Sequence, residues 1–265
     1  MARGLEKAIY TLRAMSSARE GVVCVADPRR SVLVCLVYLV VMLSVPVRSL
    51  QTLLFFAIYP IVASAMAGIG YWTVFSRSLI VLPFVLLIGI FNPLYHTDTG
   101  IAFGSVSVSE GWLEFVSILL RAMLSVQAVL ILIADCGFTG ICRSLGRLGT
   151  PAFLTTQLLM VYRYLCVLLQ EAQNMRRARD ARGYGRRDMS LKMWGEFTGQ
   201  LFIRAVDRSQ RIHRAMLARG FDGTMPTLAE TDSRWTAADT AWLAGWTAAF
   251  LIFRLVNIPA LLHFA

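Results

Sequence analysis

Residues that could carry catalytic chemistry are scarce in this sequence, beginning with its two lysines, Lys7 and Lys192. An ATP-binding P-loop has the form G-x-x-x-x-G-K-[ST], because its backbone cradles the phosphates and its lysine reaches the terminal ones. Lys7 follows Glu6 and Lys192 follows Leu191, so neither lysine can belong to such a loop. The patterns G-x-S-x-G and H-E-x-x-H are also absent. We therefore predict that the chain is not an enzyme and that any ATP is hydrolysed by other subunits.

Residues that could bind a metal ion are equally sparse. The histidines lie far apart, and the odd number of cysteines forms no C-x-x-C pair, so neither a zinc site nor a disulfide framework is indicated. His96 and Asp98 share a polar loop and could contact an ion, but we favour the interpretation that both are solvated. We predict no metal site and no cofactor. The residues concerned are His96, His213, His263, Cys24, Cys35, Cys136, Cys142 and Cys166.

One pattern with chemical meaning occurs twice. Residues 178–184 and 215–221 both read A-x-x-A-R-G-aromatic, and we call them the first and second motifs. Alanines three apart leave a slim helix face, the glycine can adopt the left-handed conformation that ends a helix, and the arginine complements the helix dipole. A single copy would match many ordinary helix ends, but two copies with the same spacing indicate a shared function. The predicted site residues are Ala181, Arg182, Gly183, Ala218, Arg219 and Gly220.

Each motif ends a predicted helix, over residues 152–182 and 189–219, and each helix would be roughly 45 Å long. Arginine has five donors in a planar fork, which suits docking into polar or acidic pockets of another protein. On the second helix, Trp194, Phe197, Leu201 and Ala205 recur at helical spacing and predict an apolar face. The row Arg204, Arg208 and Arg211 is interpreted as a solvated face, with Asp207 able to pair with Arg204 or Arg211.

The elements that must position these motifs are unusually apolar. Of the 265 residues, 57% are hydrophobic and 16% charged, whereas soluble domains carry about a quarter charged residues. The apolar residues form long blocks, several near the length of about 20 residues that a helix needs to cross a bilayer. The net charge of +10 could indicate nucleic-acid binding, but the basic residues border the apolar blocks, where they orient membrane helices. We predict an all-α membrane protein with about five transmembrane helices and two long cytoplasmic helices.

The distribution of basic residues predicts the orientation. The five crossings are about residues 31–47, 50–72, 78–95, 112–136 and 239–263. Sixteen of the 26 basic residues lie within 137–237 and six within 1–30, whereas 96–111 has none. By the positive-inside rule, 1–30 and 137–237 are cytoplasmic, and 96–111 lies outside. The predicted organisation is a cytoplasmic segment 1–30, a four-helix membrane region 31–136, a cytoplasmic region 137–237, and a final crossing with a short outside tail, 238–265.

Two features of the apolar blocks leave alternatives open. Residues 153–170 could form a sixth crossing, but arginine clusters flank them on both sides, and we favour a helix packed on the cytoplasmic ends of other helices. Arg121 lies in mid-span, where a charge needs a partner and is often functional, and Glu114 is two turns away. Asp135 is close enough to a span end to reach water.

With its two motifs, the sequence resembles the transmembrane T component of energy-coupling factor (ECF) transporters, in the CbiQ-like branch of cobalt and nickel uptake. The resemblance covers most of the chain. It rests on Ala181-Arg182-Gly183 and Ala218-Arg219-Gly220, which match the family's two coupling motifs. Further matches are Asp27-Pro28-Arg29, Phe91-Asn92-Pro93-Leu94, and Thr156-Gln157-Leu158-Leu159 through Tyr162-Arg163-Tyr164.

The resemblance implies the partners and the task. It implies several transmembrane helices with two long coupling helices, two ABC-type ATPase subunits, and a CbiM-like substrate-binding S component. It also implies that Arg182 and Arg219 seat in grooves on the two ATPases, in the cytoplasmic membrane of a bacterium or archaeon. Cobalt is the implied substrate, with nickel next. The alternatives are an intramembrane enzyme, which would need a nucleophile and base or a metal set, and a self-sufficient secondary transporter, which would need repeats within the membrane.

Overall fold

The computed structural model describes residues 27–46, 50–91, 102–103, 106–107, 110–183, 190–223 and 235–255. Apart from a short 3-10 turn and a pair of two-residue antiparallel strands, Ala102–Phe103 and Val106–Ser107, the elements in these ranges are α-helices. The predicted all-α membrane class is confirmed. The helices are α1 (Pro28–Leu43), α2 (Leu50–Phe56), α3 (Ile58–Met66), α4 (Tyr71–Ser78), α5 (Leu82–Gly89), α6 (Glu110–Arg147), α7 (Ala152–Arg182), α8 (Leu191–Leu217) and α9 (Ala237–Leu255).

The chain forms two compact units. Among the described residues, the bundle unit comprises those between 27 and 141 together with 235–255, and the helix-pair unit comprises those between 142 and 223. The helix α6 begins in the bundle unit and ends in the helix-pair unit. The predicted cytoplasmic and membrane segments concern placement about a bilayer, and they stay predictions.

The core of the bundle unit is built around Tyr38 of α1, whose side chain is fully buried. Its ring stacks on Tyr59 with the centroids 4.4 Å apart and meets Phe250 of α9 edge-on at 5.4 Å. Phe56 lies 5.9 Å from Tyr38 and stacks on Phe250 at 6.1 Å. Aromatic pairs at these separations are favourable beyond the burial of their area. This cluster therefore packs α1, α2, α3 and α9 against one another.

Pro60 explains why the second predicted span is broken. Proline has no backbone N–H, so the carbonyl four residues earlier, that of Phe56, loses its helical donor. The Tyr38 hydroxyl donates to that carbonyl oxygen at 3.1 Å. The run predicted as one helix over residues 50–72 is therefore α2 and α3, separated at Ala57, and α3 is closed by Gly68 at φ +65°. The second predicted span is thus interrupted at Ala57 and ends at Met66, before residue 72, and its crossing of the membrane stays a prediction.

Three helical segments of the described chain are long and apolar enough to cross a membrane: Tyr71–Gly89, Gly111–Arg147 and Ala152–Arg182. The first runs from α4 through a 3-10 turn at Leu79–Val81 into α5, so the third predicted span begins earlier than residue 78. The apolar stretch Thr52–Met66 is shorter. The third segment is α7, which we had predicted to lie on the cytoplasmic side. Its length and composition are also sufficient for it to cross a membrane. The number of crossings therefore stays a prediction.

The helix α6 bends sharply at Gly137, one residue after the predicted end of the fourth span. Gly137 has φ +66° and ψ +163°, a combination that is essentially restricted to glycine. Before the bend, α5 approaches α6 so closely that a Cβ at Gly89 would lie 2.8 Å from the Phe115 ring. The sequence did not predict that the helix resumes after Gly137 and continues to Arg147.

Candidate docking site on the helix pair

The helix α7 begins and ends where the sequence predicts. Gly149 before it has φ +101°, and Pro151 occupies its N-cap. A Cβ at Gly146 would lie 3.2 Å from Thr155 Cγ2, so the end of α6 and the start of α7 approach each other closely in this turn. At the other end Gly183 is the C-cap, with φ −84° and its N–H donating to Arg179 O at 2.9 Å.

The helix α8 is capped at both ends by its own sequence. Ser190 is the N-cap, and its hydroxyl accepts from Met193 N at 3.4 Å. At the C-terminus, Phe221 N donates to Met216 O and Gly220 N donates to Leu217 O, both at 3.0 Å, with Gly220 at φ +78°. This pair of hydrogen bonds is the Schellman motif, which uses a left-handed glycine to end a helix. The expected left-handed glycine is therefore present in the second motif.

In the first motif Gly183 does not adopt that conformation. It has an ordinary negative φ, and its N–H makes a helical hydrogen bond to Arg179 O. The two motifs thus share a sequence but present different backbones after their arginines.

Two contacts join α7 and α8 and fix their relative direction. Arg204 Nη1 donates to Glu171 Oε1 at 2.6 Å, and Arg179 Nη1 donates to Met193 Sδ at 3.8 Å. The later residue of α8, Arg204, contacts the earlier residue of α7, Glu171, so the two helices run antiparallel. The partner of Arg204 is Glu171 rather than Asp207, because the carboxylate on the neighbouring helix reaches it directly.

The antiparallel arrangement separates the two motifs. Arg182 ends α7 close to the point where Arg179 touches Met193. Arg219 lies 26 residues beyond Met193, which at 1.5 Å per residue is roughly 39 Å along α8. The helix pair therefore presents its two motif arginines at widely separated positions.

The motif residues themselves are accessible. Ala181, Arg182, Ala218 and Arg219 are all exposed, as are the first alanines of both motifs, Ala178 and Ala215. The first five residues of the two motifs have the same pattern of exposure. The second residue, Arg179 or Met216, is half-buried, and the other four are exposed.

The motif arginines differ from several other arginines of the pair. Arg179 contacts Asp180 at 2.7 Å, and Arg176 lies 3.9 Å from the same carboxylate. Neither Arg182 nor Arg219 has a carboxylate partner among the residues that the structure describes. Arg208 and Arg211 also have none there and are exposed, as predicted for a solvated face. What sets the motif arginines apart is therefore their place in the repeated sequence, directly after an exposed alanine and before a glycine.

The predicted apolar face of α8 is present as a half-buried stripe. Phe197, Leu201, Ala205, Ile212 and Met216 are half-buried, whereas Trp194, at the edge of the stripe, is 43% exposed. Within α7 and α8, both described throughout, no residue is fully buried.

The comparisons with known proteins bear on this helix pair directly. The model of the family "CbiQ: Cobalt transport protein" matches residues 21–228, which include both motifs. The chain belongs to the CbiQ cobalt transport protein family. The predicted resemblance is confirmed.

Individual proteins share shorter segments with this chain. The chain is 30% identical to "Cobalt transport protein CbiQ" of Salmonella typhimurium over 39% of this chain and 46% of that protein. It is 34% identical to the protein of the same name from Rhodobacter capsulatus over 32% of this chain and 35% of that one. An uncharacterized protein of Methanocaldococcus jannaschii, MJ1089, is 30% identical over 31% of each chain. The matches thus span between about a third and a half of these relatives.

A polar cluster at one end of the bundle unit was not predicted as a unit. Ser31 Oγ donates to Asp135 Oδ2 at 3.1 Å, and Arg30 Nη1 donates to Asp239 Oδ1 at 3.4 Å. Asp27 is the N-cap of α1 and is buried. The Asp27-Pro28-Arg29 match to CbiQ was a signal for part of this cluster, but Asp239 lies beyond the matched residues.

The partner of Arg121 is also visible. Its Nη2 donates to the carbonyl oxygen of Val45 at 2.6 Å, just beyond the C-terminus of α1. Unpaired carbonyls at a helix C-terminus carry partial negative charge, so they suit a guanidinium. Arg121 therefore joins α6 to the end of α1 without involving Glu114.

Side chains that commonly bind metal ions do not cluster in the described ranges. Within them no group of three or more His, Cys, Asp or Glu side chains is close enough to hold a metal ion. The loop with His96 and Asp98 lies outside the described residues, as do residues 92–94 of the predicted Asn-Pro-Leu segment.

Proposed function

We propose that this chain is the transmembrane coupling (T) subunit of an ECF-type importer. Arg182 and Arg219 dock on two partner ABC-type ATPases, and the chain passes their motion to a CbiM-like S component that binds the substrate. The substrate is the cobalt ion, with nickel as the next choice, and metal selection belongs to the S component. The chain lies in the cytoplasmic membrane of a bacterium or archaeon with its N-terminus inside.

The separation of the two motifs is the observation that carries this proposal. One partner with one pocket would be served by a single exposed arginine. One exposed arginine ends α7 near Met193 and the other lies roughly 39 Å beyond Met193 along α8; each is beside a pair of exposed alanines, which suits two partners of similar shape. The names of the Salmonella typhimurium and Rhodobacter capsulatus relatives support cobalt transport as the process.

The two contacts between α7 and α8 support a mechanical role. Glu171 and Arg204 form a charge-assisted hydrogen bond at 2.6 Å, a class that is stronger than a neutral one. Together with the contact between Arg179 and Met193, it holds α7 and α8 side by side, and in this proposal the two helices move as one unit. ATP hydrolysis then takes place in the partners, because this chain has no P-loop.

Charge reversal of the motif arginines tests the proposal. We expect Arg182→Glu or Arg219→Glu to weaken ATPase binding or to uncouple hydrolysis from uptake, and the double variant to abolish metal uptake. Losing a desolvated, paired arginine costs about 2–5 kcal/mol, partly because its partner stays buried without a counter-charge. Lysine at both positions should restore uptake in part, since it keeps the charge and loses the planar fork.

The matched control is the double variant Arg208→Glu with Arg211→Glu. It changes the net charge equally, and both arginines are exposed residues of α8 outside the motifs. Cobalt uptake and co-purified ATPase are measured for all variants at equal membrane levels with the partners co-expressed. Normal uptake by the motif double variant, or equal loss in the control, would remove the role given to Arg182 and Arg219.

A further inference from the structure

Three consecutive residues in the first turn of α1 contact carboxylates on three different parts of the bundle unit. The Arg29 Nε lies 3.8 Å from Asp27, the N-cap of the same helix. Arg30 reaches Asp239 at the start of α9, and Ser31 reaches Asp135 of α6, just before the bend at Gly137. The first turn of α1 is therefore a junction between the first helix, the bent helix and the last helix.

Both partners of the contact to α9, Asp239 and Arg30, are held in place by neighbouring residues. Asp239 is 6% exposed, and its Oδ2 accepts from Thr236 Oγ1 at 2.7 Å and from Thr236 N at 3.0 Å, which fixes the carboxylate in the first turn of α9. Its other oxygen accepts from Arg30, whose guanidinium also lies over the Trp242 ring, 5.6 Å from the centroid. A guanidinium at this distance from an indole face is attracted by the ring.

The contact to α6 lies where that helix changes direction. Asp135 precedes Gly137 by two residues, and Cys136 Sγ lies 3.9 Å from the carbonyl oxygen of Pro28 in the same turn of α1. At its other end this part of α6 is joined to α1 by Arg121 and Val45. The part of α6 before the bend is thus attached to α1 at two points, about 21 Å apart along the helix.

We propose that Arg30 and Ser31 are positioning residues that transmit displacement of α6 to the last helix. This inference rests on the proposed coupling function, because α6 is the helix that continues beyond Gly137 into the helix-pair unit. Displacement arriving along α6 reaches α1 through Asp135 and Ser31, and it reaches α9 through Arg30 and Asp239.

The test compares adjacent arginines. Arg29 and Arg30 have side chains 24% and 25% exposed, and each lies near a carboxylate, but the partner of Arg29 belongs to its own helix cap. Arg30→Gln, Asp239→Asn and the control Arg29→Gln are assembled with the partner ATPases and S component. Asn at position 239 can still accept from Thr236, so it removes the charge and keeps the cap.

The readout is the ratio of cobalt taken up to ATP hydrolysed. We expect Arg30→Gln and Asp239→Asn each to lower this ratio about fivefold while ATPase co-purification is unchanged, and the double variant to fall no further, because both changes remove one link. The ratio for Arg29→Gln should stay near that of the wild type. An unchanged ratio in the Arg30 and Asp239 variants, equal loss in the control, or losses that multiply in the double variant would overturn the proposal.

A second measurement separates this proposal from the coupling function. If the wild-type chain fails to retain ATPases, the proposed function fails, and the link itself is then tested on the purified chain by thermal unfolding. Non-additive melting temperatures for Arg30→Gln and Asp239→Asn support the link, and additive ones contradict it.

Discussion

At the scale of single residues, the two motif glycines show how one sequence pattern gives two backbones. Gly220 is left-handed because the Schellman hydrogen bonds of α8 require it, whereas Gly183 has a φ that any residue can adopt. The requirement for glycine therefore differs between the motifs, although both positions lie directly after a motif arginine.

We expect Gly220→Ala to loosen the end of α8. A side chain in the left-handed region costs about 1–2 kcal/mol, and the Phe221 N–H to Met216 bond depends on that conformation. Hydrogen exchange at the Gly220 and Phe221 positions should become roughly fivefold faster or more. Gly183→Ala is the matched control, and its local exchange should change little. Equal effects of the two substitutions would contradict the assignment of a left-handed cap to the second motif alone.

The Tyr38 hydroxyl allows a sharper residue-scale test. Tyr38→Phe leaves the buried Phe56 carbonyl without a donor, which costs about 1–3 kcal/mol. In a Pro60→Ala background the same change should cost less, because an alanine N–H can supply the missing helical bond. Thermal unfolding of the purified chain gives both values. Tyr59→Phe, also in the aromatic core, is the control. Equal costs of Tyr38→Phe in the two backgrounds would show that Pro60 does not create the need for this hydroxyl.

At the scale of helices, α6 supplies a pair of glycines with opposite requirements. Gly137 forms the bend at φ +66°, whereas a Cβ at Gly140 would meet Cys136 and Pro28 at ordinary contact distances of 3.5 and 3.7 Å. We expect Gly137→Ala to destabilise the folded chain by about 1–3 kcal/mol and to favour a straighter helix, and Gly140→Ala to be tolerated. Thermal unfolding compares the two. A Gly137→Ala chain as stable as the Gly140→Ala chain would mean that the bend needs no glycine.

The sequence predicted the helix boundaries that coincide with glycine or proline at the end of a segment. The range of α7 was predicted from the Gly-Thr-Pro and Arg-Gly segments at its ends, and the fourth predicted span ended beside the bend at Gly137. The break at Ala57 was missed because Pro60 sits inside a uniformly apolar run. The links from Arg30 to Asp239 and from Arg121 to Val45 could not be predicted, because 209 and 76 residues separate the partners and no local pattern connects them.

At the scale of the whole molecule, the bundle unit brings the start of α1, the end of the straight part of α6 and the start of α9 together at one end. The five-crossing prediction requires the first and last spans to begin on the side of the membrane where the fourth span ends. The contacts are compatible with the predicted orientation, and labelling can decide it.

Cysteine labelling from outside the cell tests the orientation, in a chain whose native cysteines have been replaced. We expect Thr99→Cys to be labelled in intact cells, and Arg186→Cys to be labelled only after the membrane is permeabilised, because the basic residues of 137–237 are held inside. Both positions lie outside the described residues. Labelling of Arg186→Cys in intact cells would instead make α7 a sixth crossing.

The contact between Glu171 and Arg204 has a mechanical consequence for the proposed assembly. If this contact serves as a fulcrum, the arm from Glu171 to Arg182 is 11 residues long and the arm from Arg204 to Arg219 is 15. These lengths correspond to about 16 and 22 Å of helix. A rotation about the fulcrum then moves Arg219 about 1.4 times as far as Arg182. Equal forces from two identical ATPases on these tips would therefore exert unequal torques, and equal displacements would require unequal rotations of the helix pair.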